Sequence, residues 1–312
     1  MHKKIPRLTV MVGLSGSGKS SQARKMEEIL GDTVISTDSI REEICGEVED
    51  QSKNKEVFQI FHKRIRKALE EGKDVVADAT NITMKSRRAI LNCVAGLDVL
   101  KQCWIKAKPF NECLRDNKNR KHPVPEDVLF KQLSKFQIPF YEEGWNFIAI
   151  DSDVQRNGVP FSSLFDLTKN FDQLNPHHSD SLDVHSLKTC RAFSIMRMRE
   201  LGCLPLDACK RDAFIAGAKM HDIGKLYTQS FDKNGIAHYY GHAEVGSYIV
   251  LSEVKYPEEW SFDEILDCCF LVNYHMFPFS WNNEKTIKKW KKRFGKEKFD
   301  ILKKIHLCDI AR

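Results

Sequence analysis

No stretch of this chain approaches the roughly 18–20 consecutive apolar residues that a helix needs to cross a bilayer, so the sequence offers no membrane-spanning helix and predicts no membrane partner. Cysteine is present but never in a C-x-x-C pair; of the ten, only Cys268 and Cys269 are neighbours. That excludes zinc knuckles and a disulfide scaffold, and predicts buried, reduced thiols in a cytoplasmic protein. Internal repeats and low-complexity tracts are lacking too. The opening segment, MHKKIPRLTV, is basic but runs directly into a strand-like run, and reads as mature structure rather than a signal peptide. What is there is ordinary globular sequence: 42% hydrophobic, 29% charged and 312 residues long, enough for two cores. A net charge of +6 permits a polyanionic partner without requiring one.

Two halves differ in pattern. Over 1–152, short apolar runs (8–13, 33–36, 74–78, 99–107 and 147–151) alternate with stretches of helical spacing, two of which end near Gly72 and Gly96. Strands alternating with helices predict a parallel sheet covered on both faces. Residues 153–174 carry Gly158 and Pro160, with Pro176 just beyond, and show no strong periodicity, so a linker or docking segment is expected there. From about 178 onward the text reads as helices with few strand signals, an all-helical second half.

The first half carries GLSGSGKS at 13–20, which fits G-x-x-x-x-G-K-[ST]. Gly13, Ser15, Gly16, Ser17 and Gly18 form a loop whose amides can turn inward on a nucleotide phosphate. Lys19 would reach the β/γ-phosphates and Ser20 would ligate Mg²⁺. This predicts ATP or another nucleoside triphosphate as co-substrate. Asp38, at the end of the second strand, is placed to take a proton from an attacking hydroxyl, and Arg41 to grip a phosphate on the acceptor; the plainer reading is a helix cap and a solvated helix residue. Asp78, in DATN at 78–81, either supports the metal shell or ends a strand. Arg115 and Arg120 in the basic segment 115–128 are lid arginines or part of a solvated loop.

A phosphate-binding loop, D-x-x-R, a D-x-T-N segment and an arginine-rich stretch closing on Val124-Pro125 together resemble the polynucleotide 5′-kinase family of phage end-repair enzymes. The resemblance spans residues 5–151. It implies that Asp38 is the general base, that Arg41 binds the 3′-phosphate of the acceptor nucleotide and that the lid arginine, matched by Arg120 with a one-residue offset, stabilises transfer.

The second half is dominated by histidine. AKMHDIGK at 218–225 sets His221 beside Asp222. Adjacent residues diverge by about 100° on a helix, so both reach one ion only near a helix end. His185, His242, His275 and Asp309 are available to complete such a centre. Nitrogen with carboxylate oxygen suits Mn²⁺, Fe²⁺, Co²⁺, Ni²⁺ or Zn²⁺, and a centre of this kind activates water for attack on a phosphoester. His177, His178, His238 and His306 read as ordinary histidines, although His178 and His238 fall close enough in sequence to meet a substrate. The order H…HD…H…H…D resembles the HD phosphohydrolase superfamily, in the version attached to bacterial tRNA nucleotidyltransferases, over 175–312. It implies an all-α domain in which His185, His221, Asp222 and Asp309 hold one metal, Asp222, His242 and His275 a second, and Lys225 faces the substrate phosphate. The lysine-dense tract 285–304 reads as an amphipathic helix with Trp290, Phe294 and Phe299 inward, or as a nucleic-acid track.

Taken together, these features predict an α/β P-loop kinase domain followed by an all-α HD domain. The function expected is healing of RNA or DNA ends: phosphorylating a 5′-hydroxyl and removing a 3′-phosphate or 2′,3′-cyclic phosphate, with a separate ligase as a partner. The alternatives are a nucleoside or nucleotide kinase fused to an HD nucleotidase, and a nucleotide-sensing protein with a regulatory second half.

Overall fold

The computed structural model describes residues 4–152, 158–176, 179–202 and 212–311. The chain divides into two compact units, one of residues 1–132 and 139–152, the other of 133–138 and 153–312.

In the first unit, five strands form one parallel sheet: β1 (Arg7–Val12), β2 (Thr33–Ser36), β3 (Val75–Asp78), β4 (Leu100–Ala107) and β5 (Phe147–Ser152). Their spatial order is β2-β3-β1-β4-β5. The central strand β1 is buried on both faces, with Leu8, Val10, Met11 and Val12 fully enclosed. This is why it reads as a continuous apolar run rather than an alternating one. Each such side chain contributes about 1.5–3 kcal/mol on burial. Helices α1 (Lys19–Leu30), α2 (Thr37–Cys45), α3 (Asn54–Glu70), α4 (Met84–Cys93), α5 (Phe110–Lys118) and α6 (Glu126–Leu133) fill the connections. On α3, Val57, Phe61, Ile65, Ala68 and Leu69 repeat at three- and four-residue spacing and are all buried. Connections leave β1 toward β2 on one side and reach β4 on the other. The strand order therefore reverses beside the carboxyl end of β1, where open α/β sheets bind their ligands.

The second unit is mostly helical: α7 (Phe161–Asp166), α8 (Leu182–Leu201), α9 (Ala213–Met220), α10 (Lys225–Thr228), α11 (His242–Glu253), α12 (Phe262–Tyr274) and α13 (Glu284–Ile310). Helix α12 is its centre, buried from Cys268 through Tyr274 and packed on α9 and α11. The expectation of an all-helical second half needs correction. Val159–Pro160 pairs in parallel with Val254–Lys255, and Ser230–Phe231 pairs antiparallel with Ala237–His238. Two-residue strands are too short for an alternating pattern to show in sequence. The tight turn of the hairpin is held by Asp232, whose Oδ1 accepts from the amides of Asn234 (2.8 Å) and Ile236 (2.9 Å).

The stretch expected as a linker is structured where described: Leu164, Phe165, Thr168 and Gln173 are buried. Residues 133–138 also join this unit. Asn273 Nδ2 donates to Phe136 O (3.0 Å) and its Oδ1 accepts from Ile138 N (2.9 Å), while Tyr274 Oη donates to Ile138 O (2.9 Å). The lysine-rich tract forms α13, interrupted at Gly295 (φ 72°), with Phe294 and Phe299 buried and Trp290 half-buried against Phe294. No helix among the described residues is long and apolar enough to cross a membrane.

Candidate functional sites

In the first unit, the loop after β1 leads straight into α1, with Gly18 as the N-cap. The loop lies hard against α5. A Cβ on Gly16, where φ is 82°, would sit 2.2 Å from the carbonyl oxygen of Cys113, so only glycine fits. Asn81 and Thr80 of the DATN segment brace the other side: Asn81 Nδ2 donates to Met11 O (2.9 Å), and Thr80 O accepts from Gly13 N (3.0 Å).

Several groups here fit a nucleotide phosphate and a hard cation. Ser17 Oγ is buried with no partner. Lys19 is buried and donates to Leu14 O at 2.6 Å. Burial brings its pKa down to about 8, against the opposing pull of the Asp78 carboxylate. Asp78 is also buried, which pushes its carboxyl up, while Lys19 and a hydrogen bond from Ser20 work the other way. The Ser20–Asp78 oxygen pair is a donor set suited to Mg²⁺. Ser15 is held by Gln132, which the sequence did not single out. Gln132 Oε1 accepts from Ser15 N (2.9 Å) and its Nε2 donates to Ser15 Oγ (3.0 Å).

Asp38 lies in the first turn of α2, and it is Ser36 that caps this helix, accepting from Asp38 N at 3.2 Å. The Asp38 carboxylate is 46% exposed and stands between two guanidinium groups. Arg41 Nη1 is 3.2 Å from Oδ1, and Arg120 Nη2 is 3.6 Å from Oδ2. Arg41 is buried rather than solvated, and its other nitrogen donates to Asn54 Oδ1 at 3.1 Å. The segment that carries Arg120 is braced by Asn117, which bonds both the carbonyl (2.7 Å) and the amide (3.1 Å) of Val124. Arg115 is placed differently. Its side chain is 67% exposed and pairs with Glu112 and Asp116 on its own helix, α5.

In the second unit, α9 ends at Met220, so His221 and Asp222 lie just past a helix terminus, as their adjacency requires. Asp212 fixes the other end of α9. Its Oδ1 caps Phe214 N (2.9 Å), and its Oδ2 accepts from Arg197 Nε (3.0 Å). Around Asp222 the ligand atoms converge. His185, His221, Asp222 and Asp309 form one group with every ligand atom within 4.8 Å of the others, and Asp222, His242 and His275 form a second. Asp222 Oδ2 is 3.4 Å from His185 Nε2 and 3.3 Å from His221 Nε2. Its Oδ1 is 3.3 Å from His242 Nε2 and 3.5 Å from His275 Nε2. Asp309 Oδ1 reaches His185 Nε2 (3.0 Å) and His221 Nε2 (3.3 Å).

The histidine tautomers follow from the backbone. Nδ1 of His221, His242 and His275 each bonds the carbonyl three residues earlier, at 2.9, 2.8 and 2.8 Å. A carbonyl can only accept, so Nδ1 carries the hydrogen and Nε2 turns a lone pair inward when the ring is neutral. Lone pairs and carboxylate oxygens 3.3–3.5 Å apart repel unless a positive charge lies between them. The buried Nε2 of His221 finds no well-aligned hydrogen bond.

The pKa directions express the same demand. Burial would lower His221, yet Asp222 and Asp309 outweigh it and lift the ring to about 10. His185 is raised for the same reasons, whereas burial dominates at His275 and lowers it. Asp222 is held well below the usual carboxylate range. Burial opposes this, but Lys225 and the imidazoles overcome it. The donor set fits borderline divalent metals.

Lys225 donates to Asp222 Oδ2 (2.7 Å) and to Gln173 Oε1 (2.8 Å). Gln173 came from a segment without periodicity, and no local signal marks it. Gly224 explains the glycine of HDIGK: a Cβ there would lie 2.0 Å from His242 O and 2.6 Å from Gly246 N, so the turn and α11 touch backbone to backbone. His238 is partly exposed and stacks on Tyr240, and His306 packs edge-on against Phe279. His177 and His178 lie outside the described residues.

Comparison with known proteins bears on the first half. Residues 8–139 match the AAA domain family. Over 137 residues the chain is 31% identical to an adenylate kinase of Thermosipho melanesiensis, covering 41% of this chain and 59% of that protein. Over 152 residues it is 28% identical to an L-seryl-tRNA(Sec) kinase of Methanococcus maripaludis, covering 47% and 58%. The chain therefore spans less than two thirds of the length of either relative. Among solved structures, a gluconokinase from Sinorhizobium meliloti 1021 aligns at 20% identity and TM-score 0.34, covering 47% of this chain and 82% of that one. A structure of a Pnkp1/Rnl/Hen1 complex aligns at 16% identity and TM-score 0.35, covering 62% and 67%.

Proposed function

Residues 8–139 being a P-loop domain of the AAA kind with kinases as its sequence relatives, we propose that the chain heals broken nucleic-acid ends, adding phosphate at a 5′-hydroxyl and removing it from a 3′ terminus. The observation that carries this reading is the second cluster. A chain that already holds a phosphate loop also gathers four imidazoles and two carboxylates about Asp222, the composition and order of an HD phosphohydrolase centre. The two activities together yield a 5′-phosphate and a 3′-hydroxyl, the ends a separate ligase joins.

In the first site, Asp38 takes the proton of the 5′-hydroxyl as its oxygen attacks the γ-phosphorus of ATP, and ADP departs. Arg41, buried and tied to Asn54, binds a phosphate of the acceptor strand while it orients Asp38. Lys19 and Arg120 supply positive charge where it builds on the transferred group. Ser20 and Asp78 would hold Mg²⁺. In the second site, His185, His221, Asp222 and Asp309 would hold one divalent ion, and Asp222, His242 and His275 another. Ions bound there would supply Lewis acidity toward water and the phosphoester. The Nδ1 bonds keep the imidazoles of His221, His242 and His275 aimed inward, and Lys225, anchored by Gln173, sets a fixed positive charge beside the substrate phosphate. The oxygen of water ends on phosphorus, and its proton on the 3′ oxygen.

An oligonucleotide with 5′-hydroxyl and 3′-phosphate ends, incubated with ATP, Mg²⁺ and Mn²⁺, tests the reading. Asp38→Ala should abolish phosphorylation alone and Asp222→Ala dephosphorylation alone. Loss of both activities in either folded variant would refute separate sites. A second reading, a small-molecule kinase joined to a nucleotidase, draws support from the adenylate kinase match. It requires turnover of free nucleosides or nucleotides and indifference to the oligonucleotide.

A further inference from the structure

Tyr240 is a large aromatic side chain left 76% exposed, two residues before the cluster histidine His242. Single exposed aromatics are common, but this one is neither isolated nor loosely held. Its ring lies parallel to that of His238, with an interplanar angle of 5° and centroids 5.5 Å apart, an offset stack. With one face on His238 and most of its area in water, the opposite face is open. The backbone beneath is pinned on both sides. Tyr239 Oη donates to Gln173 O (2.6 Å) and accepts from Gln229 Nε2 (2.9 Å), and Tyr239 O receives the Nδ1 hydrogen of His242 (2.8 Å). A Cβ on Gly241 would lie 3.0 Å from Ser134, so the next residue is clamped as well. Successive Cα atoms are about 3.8 Å apart, so the Cα of Tyr240 lies within about 8 Å of that of His242, a residue assigned to the metal centre.

A flat, exposed π-face carried two residues from a cluster histidine matches one part of the proposed substrate. In a 3′-phosphorylated strand, the terminal base is one ribose away from the phosphate. We infer that Tyr240, backed by His238, is a stacking platform for the base of the 3′-terminal nucleotide, so that this site selects nucleic-acid ends over other phosphomonoesters. Stacking on an aromatic ring is tolerant of sequence and stabilises a bound base substantially. The platform positions substrate without entering the chemistry, and the inference rests on the hydrolytic reading above.

Full-length, Mn²⁺-loaded protein separates the two. For a 3′-phosphorylated oligonucleotide, Tyr240→Ala should raise KM about tenfold with kcat little changed. Tyr240→Trp should restore the wild-type KM. Hydrolysis of p-nitrophenyl phosphate, which carries no base, should be equal in all three proteins. Independently of turnover, a 3′-hydroxyl strand ending in 2-aminopurine should lose fluorescence on binding wild-type protein and keep it with Tyr240→Ala. An unchanged oligonucleotide KM in Tyr240→Ala, or a parallel loss on p-nitrophenyl phosphate, overturns the platform alone. Wild-type protein that cleaves p-nitrophenyl phosphate but leaves the oligonucleotide intact overturns the hydrolytic reading together with the platform.

Discussion

At the scale of single residues, the second site depends on a position that cannot ligate anything. Gly224 lets the turn carrying Asp222 and Lys225 touch the first turn of α11, which carries His242. A methyl group at 2.0 Å from a backbone oxygen has no flexible side chain to push aside, so the turn and the helix must move apart by more than an ångström. Misplacement on that scale costs on the order of 100-fold in a positioned reaction. Gly224→Ala should therefore lower hydrolysis of a 3′-phosphorylated oligonucleotide about that much and weaken Mn²⁺ binding by calorimetry. Phosphorylation of a 5′-hydroxyl strand should be untouched. Hydrolysis within a few-fold of wild type would show that the separation of turn and helix is not critical.

At the scale of elements, the first unit is tied together by a pair that no periodicity announces. Arg87 on α4 is fully buried and grips Glu143, which sits in a short turn before β5. Nε donates to Oε2 at 2.8 Å and Nη2 to Oε1, with Trp145 Nε1 also on Oε2 at 3.2 Å. Arg87 Nη1 reaches Asn81 O (3.2 Å), so the pair also steadies the brace behind the phosphate loop. Removing one partner of such a pair leaves a charge in the interior. Glu143→Ala should cost about 3–5 kcal/mol, read from the denaturant midpoint of Trp fluorescence, whereas replacing both partners by leucine should cost much less. The strands, in contrast, are readable from sequence to within a residue or so, because a parallel sheet needs runs of apolar residues, which β1 and β3 supply, while β4 shows the alternation of a half-buried strand. The phosphate loop is readable because its chemistry is contiguous. Gln132, Gln173 and Asn273 are not, because each acts on a partner 52 to 137 positions away and leaves no local pattern. The order of histidines and aspartates from His185 to Asp309 can be read. Their meeting at Asp222 is a property of helix ends brought together by packing, and only the folded structure displays it.

For the molecule as a whole, a phosphate loop and a histidine–aspartate cluster built on separate compact units predict two separate responses to ligands. A ligand that binds only the folded state stabilises it by RT ln(1 + [L]/Kd), about 2.7 kcal/mol at one hundred times Kd. For units of this size, that corresponds to roughly 5–10 °C. Mn²⁺ without nucleotide should raise the melting transition of the helical unit, and Asp222→Ala should abolish that shift because it removes the residue common to both ligand groups. ADP without metal should raise the transition of the α/β unit, and Lys19→Met should abolish it by removing the buried ammonium of the loop. Following each transition by the fluorescence of tryptophans confined to one unit, Trp104 and Trp145 in the first and Trp260, Trp281 and Trp290 in the second, assigns the shifts. Single-tryptophan variants make the assignment direct. If Asp222→Ala also removed the ADP shift, or Lys19→Met the Mn²⁺ shift, the sites would be one linked centre rather than two.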